Sequence, residues 1–355
     1  MTMVGSIMMG AGFFSALAHV IGGELSDKIG RRPIILLSLG IRVLMYALMA
    51  FLIGFAAPVW IIVIVYFIGQ AIGMMERPAA TAIITDLSPR KRLTEAFGLI
   101  RVGVNLGWAA GPAVGGYLAI VLPYSWLFGV AALVTGLALI IVVLFLSETH
   151  TKYPTDSAVS NLSSIWKDRS FLAFTFISLL FFLLMGQMMS TLSIYTVDFM
   201  RFSTAQYGLL LTTNGLMVVF LQYPIASKLS KLPKTKLLIT GSLLHTLGYL
   251  SFGWQGAFAV SIFAMAVITL GEIIHAPASL AVVGELAPQQ YRGRYMGIFG
   301  LTQILGISIS PLLGGIILDA FPFQPFMIWG SIAALGIVAA FGYYLWSVRF
   351  GNVQK

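Results

Sequence analysis

The sequence predicts an all-α protein that crosses a membrane many times, and three observations carry that prediction. Hydrophobic residues make up 59% of the chain and charged residues only 9%, whereas a soluble domain carries roughly 25% charged residues. Little of this chain can therefore face water, in keeping with a mean hydropathy of +0.94. Apolar stretches of about 20 residues, the length that crosses about 30 Å of hydrocarbon as a helix, recur from end to end. The third observation is where the basic residues fall.

About eleven stretches qualify: 3–22, 34–54, 58–83, 95–120, 125–146, 171–196, 206–227, 237–253, 257–284, 295–319 and 326–346. The longest polar segment runs only from Ser147 to Ser170, so no soluble domain is left over. The first stretch lacks a charged start and a clear small-residue cleavage site before Gly22-Gly23-Glu24, unlike a signal peptide. With no cysteine in the chain, disulfides and thiolate metal sites are excluded.

A net charge of +9 could point to nucleic acid, but its distribution argues otherwise. With the start outside, one set of loops carries Lys28, Arg31, Arg32, Arg90, Lys91, Arg92, Lys152, Lys167, Arg169, Lys228, Lys231, Lys234, Lys236, Arg292, Arg294, Arg349 and Lys355. The opposite loops carry Arg201 alone. This is the positive-inside asymmetry of a multi-pass protein in a lipid bilayer, with its C-terminus inside. No nucleic-acid partner is expected.

Shifting the sequence by 199 residues superimposes it on itself. Asp86-Leu87-Ser88-Pro89 falls on Glu285-Leu286-Ala287-Pro288, and Pro78 on Pro277. Gly98, Gly107, Pro112, Gly115 and Gly116 fall on Gly297, Gly306, Pro311, Gly314 and Gly315. Two homologous bundles follow, at 1–146 and 171–355, joined by a linker at 147–170. Position 1 corresponds to Met200, so the stretch at 171–196 has no first-half counterpart and the count is five plus six. Two readings stay open: a start displaced downstream of the native one, and a protein that lacks this helix.

Two strings stand out within the repeat. Between the first two stretches lies Gly23-Glu24-Leu25-Ser26-Asp27-Lys28-Ile29-Gly30-Arg31-Arg32. Gly23 and Gly30 permit a tight reversal, Asp27 can accept from a neighbouring helix N-terminus, and Arg31 and Arg32 can anchor to lipid phosphate or a carboxylate. The second string spaces Gly98, Gly107, Gly111, Pro112, Gly115 and Gly116 along one stretch. Gly107, Gly111 and Gly115 share a helical face open to close backbone approach, and Pro112 bends the helix.

These strings resemble motif A and motif C of the major facilitator superfamily, and the resemblance covers nearly the whole chain. It implies a fold of two pseudo-symmetric helix bundles working by alternating access. In that family motif A acts as a cytoplasmic latch. Motif C marks drug:proton antiporters and seals the outward end between the halves. The resemblance therefore implies export of lipophilic or cationic small molecules by a monomeric transporter, with the proton gradient as energy source and no cofactor. The family's motif B expects a basic residue before a Gln-Gly pair. The corresponding stretch reads Tyr66-Phe67-Ile68-Gly69-Gln70-Ala71-Ile72-Gly73 and has none.

Charges at membrane depth are costly and read as functional. Glu76 and His275 each lie about 15 Å along a helix from Asp86 or Glu285, and the repeat makes them symmetry mates. Glu272, three residues before His275, is expected to form a carboxylate–imidazole pair with it. Glu272, His275 and Glu76 are thus the candidate proton-linked groups, with Arg77, Arg101 and Asn105 as further cavity candidates. The alternative for each carboxylate is a fixed ion pair with a buried arginine. Arg42 reads as a structural ion-pair partner, and His19 and His245 as packed histidines. Phe181, Met185, Gln187, Met188 and Met189, with Phe182, form an adaptable surface suited to bulky lipophilic substrates; lipid-facing packing is the alternative.

No nucleotide-binding glycine loop, catalytic triad or metal-ligand cluster is present, so an ATP-driven pump or membrane enzyme is not expected. Besides export, an uptake carrier for a metabolite and a truncated, non-transporting membrane protein remain open.

Overall fold

A computed structural model describes residues 17–149, 162–254, 257–322 and 324–350. Most of the first apolar stretch, half of the 147–170 linker, Lys152 and Lys355 lie outside the described residues. The described residues are almost wholly helical and contain no strand.

The helices are α1 (17–29), α2 (Arg31–Gly54), α3 (Val59–Gly73), α4 (Glu76–Leu87), α5 (Leu93–Val121) and α6 (Tyr124–Phe145). After the short α7 (Leu162–Lys167) come α8 (Arg169–Gly186), α9 (Thr191–Ile194), α10 (Thr204–Leu229), α11 (Lys234–Ser251), α12 (Phe258–Leu286), α13 (Arg292–Ala320) and α14 (Pro325–Phe350). Seven helical segments among the described residues are long and apolar enough to cross a membrane.

Two stretches depart from simple spans, and a proline decides one of them. The stretch at 58–83 is not one helix: it breaks at Met74–Met75 between α3 and α4. Pro78 has no N–H, and its ring clashes with the carbonyl four residues back, that of Met74. Its repeat mate Pro277 lies inside an unbroken α12. There the carbonyl freed at Ile273 accepts a hydrogen bond from Gln222 Nε2 at 2.9 Å, a donor supplied by α10. The stretch at 171–196 is also divided: α8 stops at Gly186, and the chain turns before α9.

Two compact units emerge from the packing. The first takes the described residues within 1–87, 110–158 and 287–301, and its core is Ile34, Ile35 and Leu39 of α2 against Ala79 and Ile83 of α4. The second takes the described residues within 88–109, 159–286 and 302–355. Its core gathers Leu184, Met188, Tyr195, Tyr249, Ile268 and Trp329 from α8 to α14. Helices α5 and α13 each contribute residues to both units, so these units do not follow the sequence boundary at 147–170.

Candidate functional site

Two polar sites join segments from different repeats. The first is a clasp in the first unit. Asp27, 5% exposed near the end of α1, accepts the backbone N–H of Gly293 (2.9 Å) and of Arg294 (2.8 Å) at the start of α13. These donors belong to the first turn of a helix, where no internal acceptor exists. The backbones approach this closely because Gly23 and Gly293 face each other; a Cβ on Gly293 would lie 2.5 Å from the Gly23 carbonyl oxygen.

Beside it Arg31, fully buried, forms an ion pair with Asp86 and donates to the Gln289 carbonyl at 2.9 Å. Arg292 also pairs with Asp86. Gly30 takes φ +115°, a backbone conformation that favours glycine, and opens the turn into α2. Glu148 caps that helix, accepting from Arg31 N (3.2 Å) and Arg32 N (2.9 Å). The Arg32 side chain donates to the Val143 carbonyl at 2.8 Å. Motif A thus supplies Gly23, Asp27, Gly30, Arg31 and Arg32 to one cluster, while Asp86, Arg292 and Glu148 were not singled out by sequence. The 199-residue repeat held a signal for Asp86, since its mate Glu285 pairs with Lys234 at 2.9 Å.

Burial pushes the Asp27 carboxyl up to about 6, against the two N–H bonds and the Arg31 and Arg294 charges. An acid whose value is raised in the clasped form favours that form when protonated. The stabilisation is fully present below its ordinary value of 3.8 and is lost as pH rises through about 6. The clasped population should therefore grow as pH falls from about 7 to about 5. Spin labels on cysteines introduced at Ile29 and Gln290, both exposed, would read this as a gain in the short-distance fraction. Asp27→Asn should flatten the dependence.

The second site lies in the second unit, where α5, α10 and α12 meet. Arg101 of α5 forms an ion pair with Glu272 of α12; their side chains are 16% and 7% exposed. The other Glu272 oxygen accepts from Asn214 Nδ2 of α10 at 2.8 Å. The same amide donates to Thr269 Oγ1 at 3.1 Å, and that hydroxyl donates onward to the Met265 carbonyl at 2.8 Å. Glu272 is thus held on both oxygens, as a buried carboxylate requires. Gly98 of motif C lets α5 approach, since a Cβ there would lie 2.7 Å from Ala226 Cβ of α10. In the repeat register Arg101 corresponds to Gly300 and Glu272 to Gly73, so this charged pair has no first-half equivalent.

Several expectations need correction. Glu272 and His275 do not pair. Three residues turn a helix about 300°, and His275 faces α8 and α14. Its ring stacks on Phe181, centroids 3.4 Å apart, and Nε2 meets the Tyr343 hydroxyl at 3.1 Å. Tyr343 in turn meets Ser178 Oγ at 3.0 Å, and Ser178 donates to the Phe174 carbonyl. Glu76 forms an ion pair with Arg42 at 2.9 Å, as Glu272 does with Arg101, so each carboxylate has an arginine partner. Arg77 is exposed. Asn105 donates to the Arg101 backbone carbonyl at 2.9 Å.

Among the described residues, the motif C face has no close neighbour at three of its glycines. A Cβ at Gly107, Gly111 or Gly115 would meet no described atom within 4 Å, and the α5 backbone runs on through Pro112 and Gly116. Their repeat mates do pack: a Cβ at Gly306 would lie 2.5 Å from Phe182 Cβ, and one at Gly314 would lie 2.7 Å from Gln187 Oε1. The covering residues belong to α8 and the segment that follows it. The proposed adaptable surface is largely interior. Phe181, Gln187 and Met188 are buried, Met185 is half-buried and only Met189 is exposed. Gln187 donates to the Ser310 carbonyl at 3.1 Å, where Gly186 lets α8 and α13 touch.

Many apolar helices, an internal repeat and two cross-repeat polar sites define a polytopic transporter. The family profile described as Major Facilitator Superfamily matches residues 1–280 and, in a second overlapping match, 198–354. The chain belongs to the major facilitator superfamily, and its motifs resemble those of the drug:proton antiporters. The Na(+), Li(+), K(+)/H(+) antiporter of Planococcus maritimus is 25% identical over 98% of this chain and 89% of its own length. The class H tetracycline resistance protein of Pasteurella multocida is 29% identical over 82% of this chain and 73% of its own. In fold, the chain matches the Escherichia coli fucose:proton symporter with a TM-score of 0.81 and 17% identity, covering 96% of this chain and 90% of that one. These relatives are membrane transporters, not enzymes.

Proposed function

We propose that this chain is a secondary active transporter that exports lipophilic or cationic small molecules in exchange for protons. The observation that carries the reading is the buried Arg101–Glu272 ion pair, which joins a helix of the first repeat to one of the second. A desolvated carboxylate needs a positive partner, and three could serve: Arg101, a proton or a substrate cation. Only one can hold a given oxygen at a time, so arrival of one releases another. That exclusivity is the minimal logic of antiport. A differential interaction of this kind is also what a ligand needs to shift a conformational equilibrium.

The clasp of Asp27 on α13, with Arg31, Asp86 and Arg292, would close the cytoplasmic side in one of the two alternating states. The bundles 1–146 and 171–355 would rock about the 147–170 linker. Basic loops and C-terminus would face the cytoplasm from the plasma or inner membrane, by the positive-inside asymmetry. The monomer would suffice, and the proton gradient would supply the energy without a cofactor. Relatives bearing the names tetracycline resistance protein and alkali-cation/proton antiporter support this reading.

Accumulation of a fluorescent lipophilic cation in cells tests it. Wild-type cells should stay dim until an uncoupler is added, whereas Glu272→Gln should cost roughly tenfold or more in uncoupler-sensitive extrusion. Unchanged extrusion by Glu272→Gln would overturn the assignment, and brighter wild-type cells before uncoupling would mark an uptake carrier.

A further inference from the structure

Helix α10 carries two buried amides that both act on α12. Asn214 Nδ2 holds Glu272 Oε2 at 2.8 Å while its second hydrogen goes to Thr269 Oγ1. Gln222, fully buried two turns further on, donates Nε2 to the Ile273 carbonyl at 2.9 Å. That carbonyl is free because Pro277, four residues later, has no N–H to give it. The two bonds reach adjacent residues by different routes, one to a side chain and one to the backbone. Together they fix both the rotation of the Glu272 carboxylate and the path of the backbone that carries it.

The consequence is geometric. With Oε2 committed to Asn214, Oε1 is the oxygen left for Arg101. With Ile273 anchored, the proline segment cannot shift Glu272 away from α5 without losing a buried hydrogen bond. The first half shows the contrast. Pro78 occupies the matching register, and the chain there breaks at Met74–Met75 instead of continuing as one helix.

We propose that Asn214 and Gln222 are positioning residues for Glu272, a two-point clamp that keeps the carboxylate aimed at Arg101 and so prevents protons from crossing without substrate. This rests on the reading that Glu272 carries the coupling. Neither residue needs to touch the transported molecule. Their loss should therefore spoil coupling before it spoils substrate binding.

The test uses full-length protein with the near-isosteric replacements Asn214→Leu and Gln222→Met, which remove the donors and keep the volume. In proteoliposomes under an imposed pH gradient, each should raise the substrate-free proton leak roughly tenfold, the worth of one hydrogen bond to a charged or buried group. KM for the fluorescent cation should rise by a smaller factor than the leak, because the carboxylate that meets the cation keeps its charge and loses only its aim. Asn214→Ser, which restores a donor, should recover part of the coupling. A second readout is independent of transport: the infrared carboxylate band of Glu272, identified by its loss in Glu272→Gln, should shift in Asn214→Leu.

A folded Asn214→Leu protein with an unmoved band and an unmoved leak would overturn the clamp. A shifted band in a protein whose wild type moves no protons would leave the clamp standing and remove the proton-exchange reading instead. If Asn214→Leu does not fold, Gln222→Met decides through the leak alone. An unchanged leak in that variant would overturn the clamp.

Discussion

Replacing Gly23 or Gly293 with leucine is expected to reduce transport to about 1% or less of wild type while leaving the protein folded. At these two positions the backbones of α1 and the start of α13 touch. A Cβ on Gly23 would land inside van der Waals contact of the Gly293 carbonyl oxygen; one on Gly293 would meet the Gly23 carbonyl oxygen and Asp27 Oδ1 at 2.8 Å. The two carbonyl oxygens are backbone atoms, so no rotamer change relieves those contacts, even where the Ser26 and Asp27 side chains can turn away. Overpacking of this kind costs about 1–3 kcal/mol or more, and each 1.36 kcal/mol is about tenfold in a rate or population. The clasp also loses both N–H bonds to Asp27, because they require the same approach. The damage falls on one conformer, so thermal unfolding should move far less than turnover. Gly40→Leu is the control, since a Cβ there meets no atom of the described residues within 4 Å. Wild-type turnover in Gly23→Leu proteoliposomes would show that the clasp is not part of the cycle.

The clasp was legible because its parts lie in one short string whose chemistry is local. Two glycines and an aspartate before two arginines announce a turn that can cap something, and only the capped helix was unknown. The buried centre was legible by half. Glu272 and Arg101 are conspicuous as charges in apolar stretches, but their pairing crosses 171 positions of sequence. Helical spacing favoured a neighbour three residues away instead. Asn214 gave no signal, since one amide in a membrane helix looks like any polar packing residue until its partner is known. The motif C face was legible only as a face. Periodicity shows which residues share a face but not what lies against it, and among the described residues Gly98, Gly306 and Gly314 have close neighbours. Pro78 and Pro277 teach the same lesson. The same residue in the same register breaks one helix and not the other, because Gln222 supplies the missing hydrogen bond only to α12.

Arg101→Ala should destabilise the protein more than the double replacement Arg101→Ala with Glu272→Gln. With Arg101 gone, Glu272 keeps the Asn214 amide on Oε2, but Oε1 is left charged and 7% exposed with no counter-ion. Breaking a buried pair from one side costs about 3–5 kcal/mol, because the surviving charge stays desolvated. Neutralising that charge as well removes most of the penalty, and the amide introduced by Glu272→Gln can still accept from Asn214 through its carbonyl oxygen. Glu272→Gln alone leaves Arg101, at 16% exposure, with a neutral partner oxygen and should fall between the two. The coupling energy from this double-mutant cycle isolates the pair from the packing lost at each position. Thermal unfolding midpoints in detergent should therefore rank wild type highest, then the double variant, then Glu272→Gln, then Arg101→Ala. Transport should follow a different order, with all three variants lacking coupled exchange: Glu272→Gln and the double variant have no titratable carboxylate, and Arg101→Ala has no guanidinium for a proton or substrate cation to displace. Equal midpoints for Arg101→Ala and the double variant would mean that the two charges do not sense each other, and the antiport logic built on their exclusivity would fall with them.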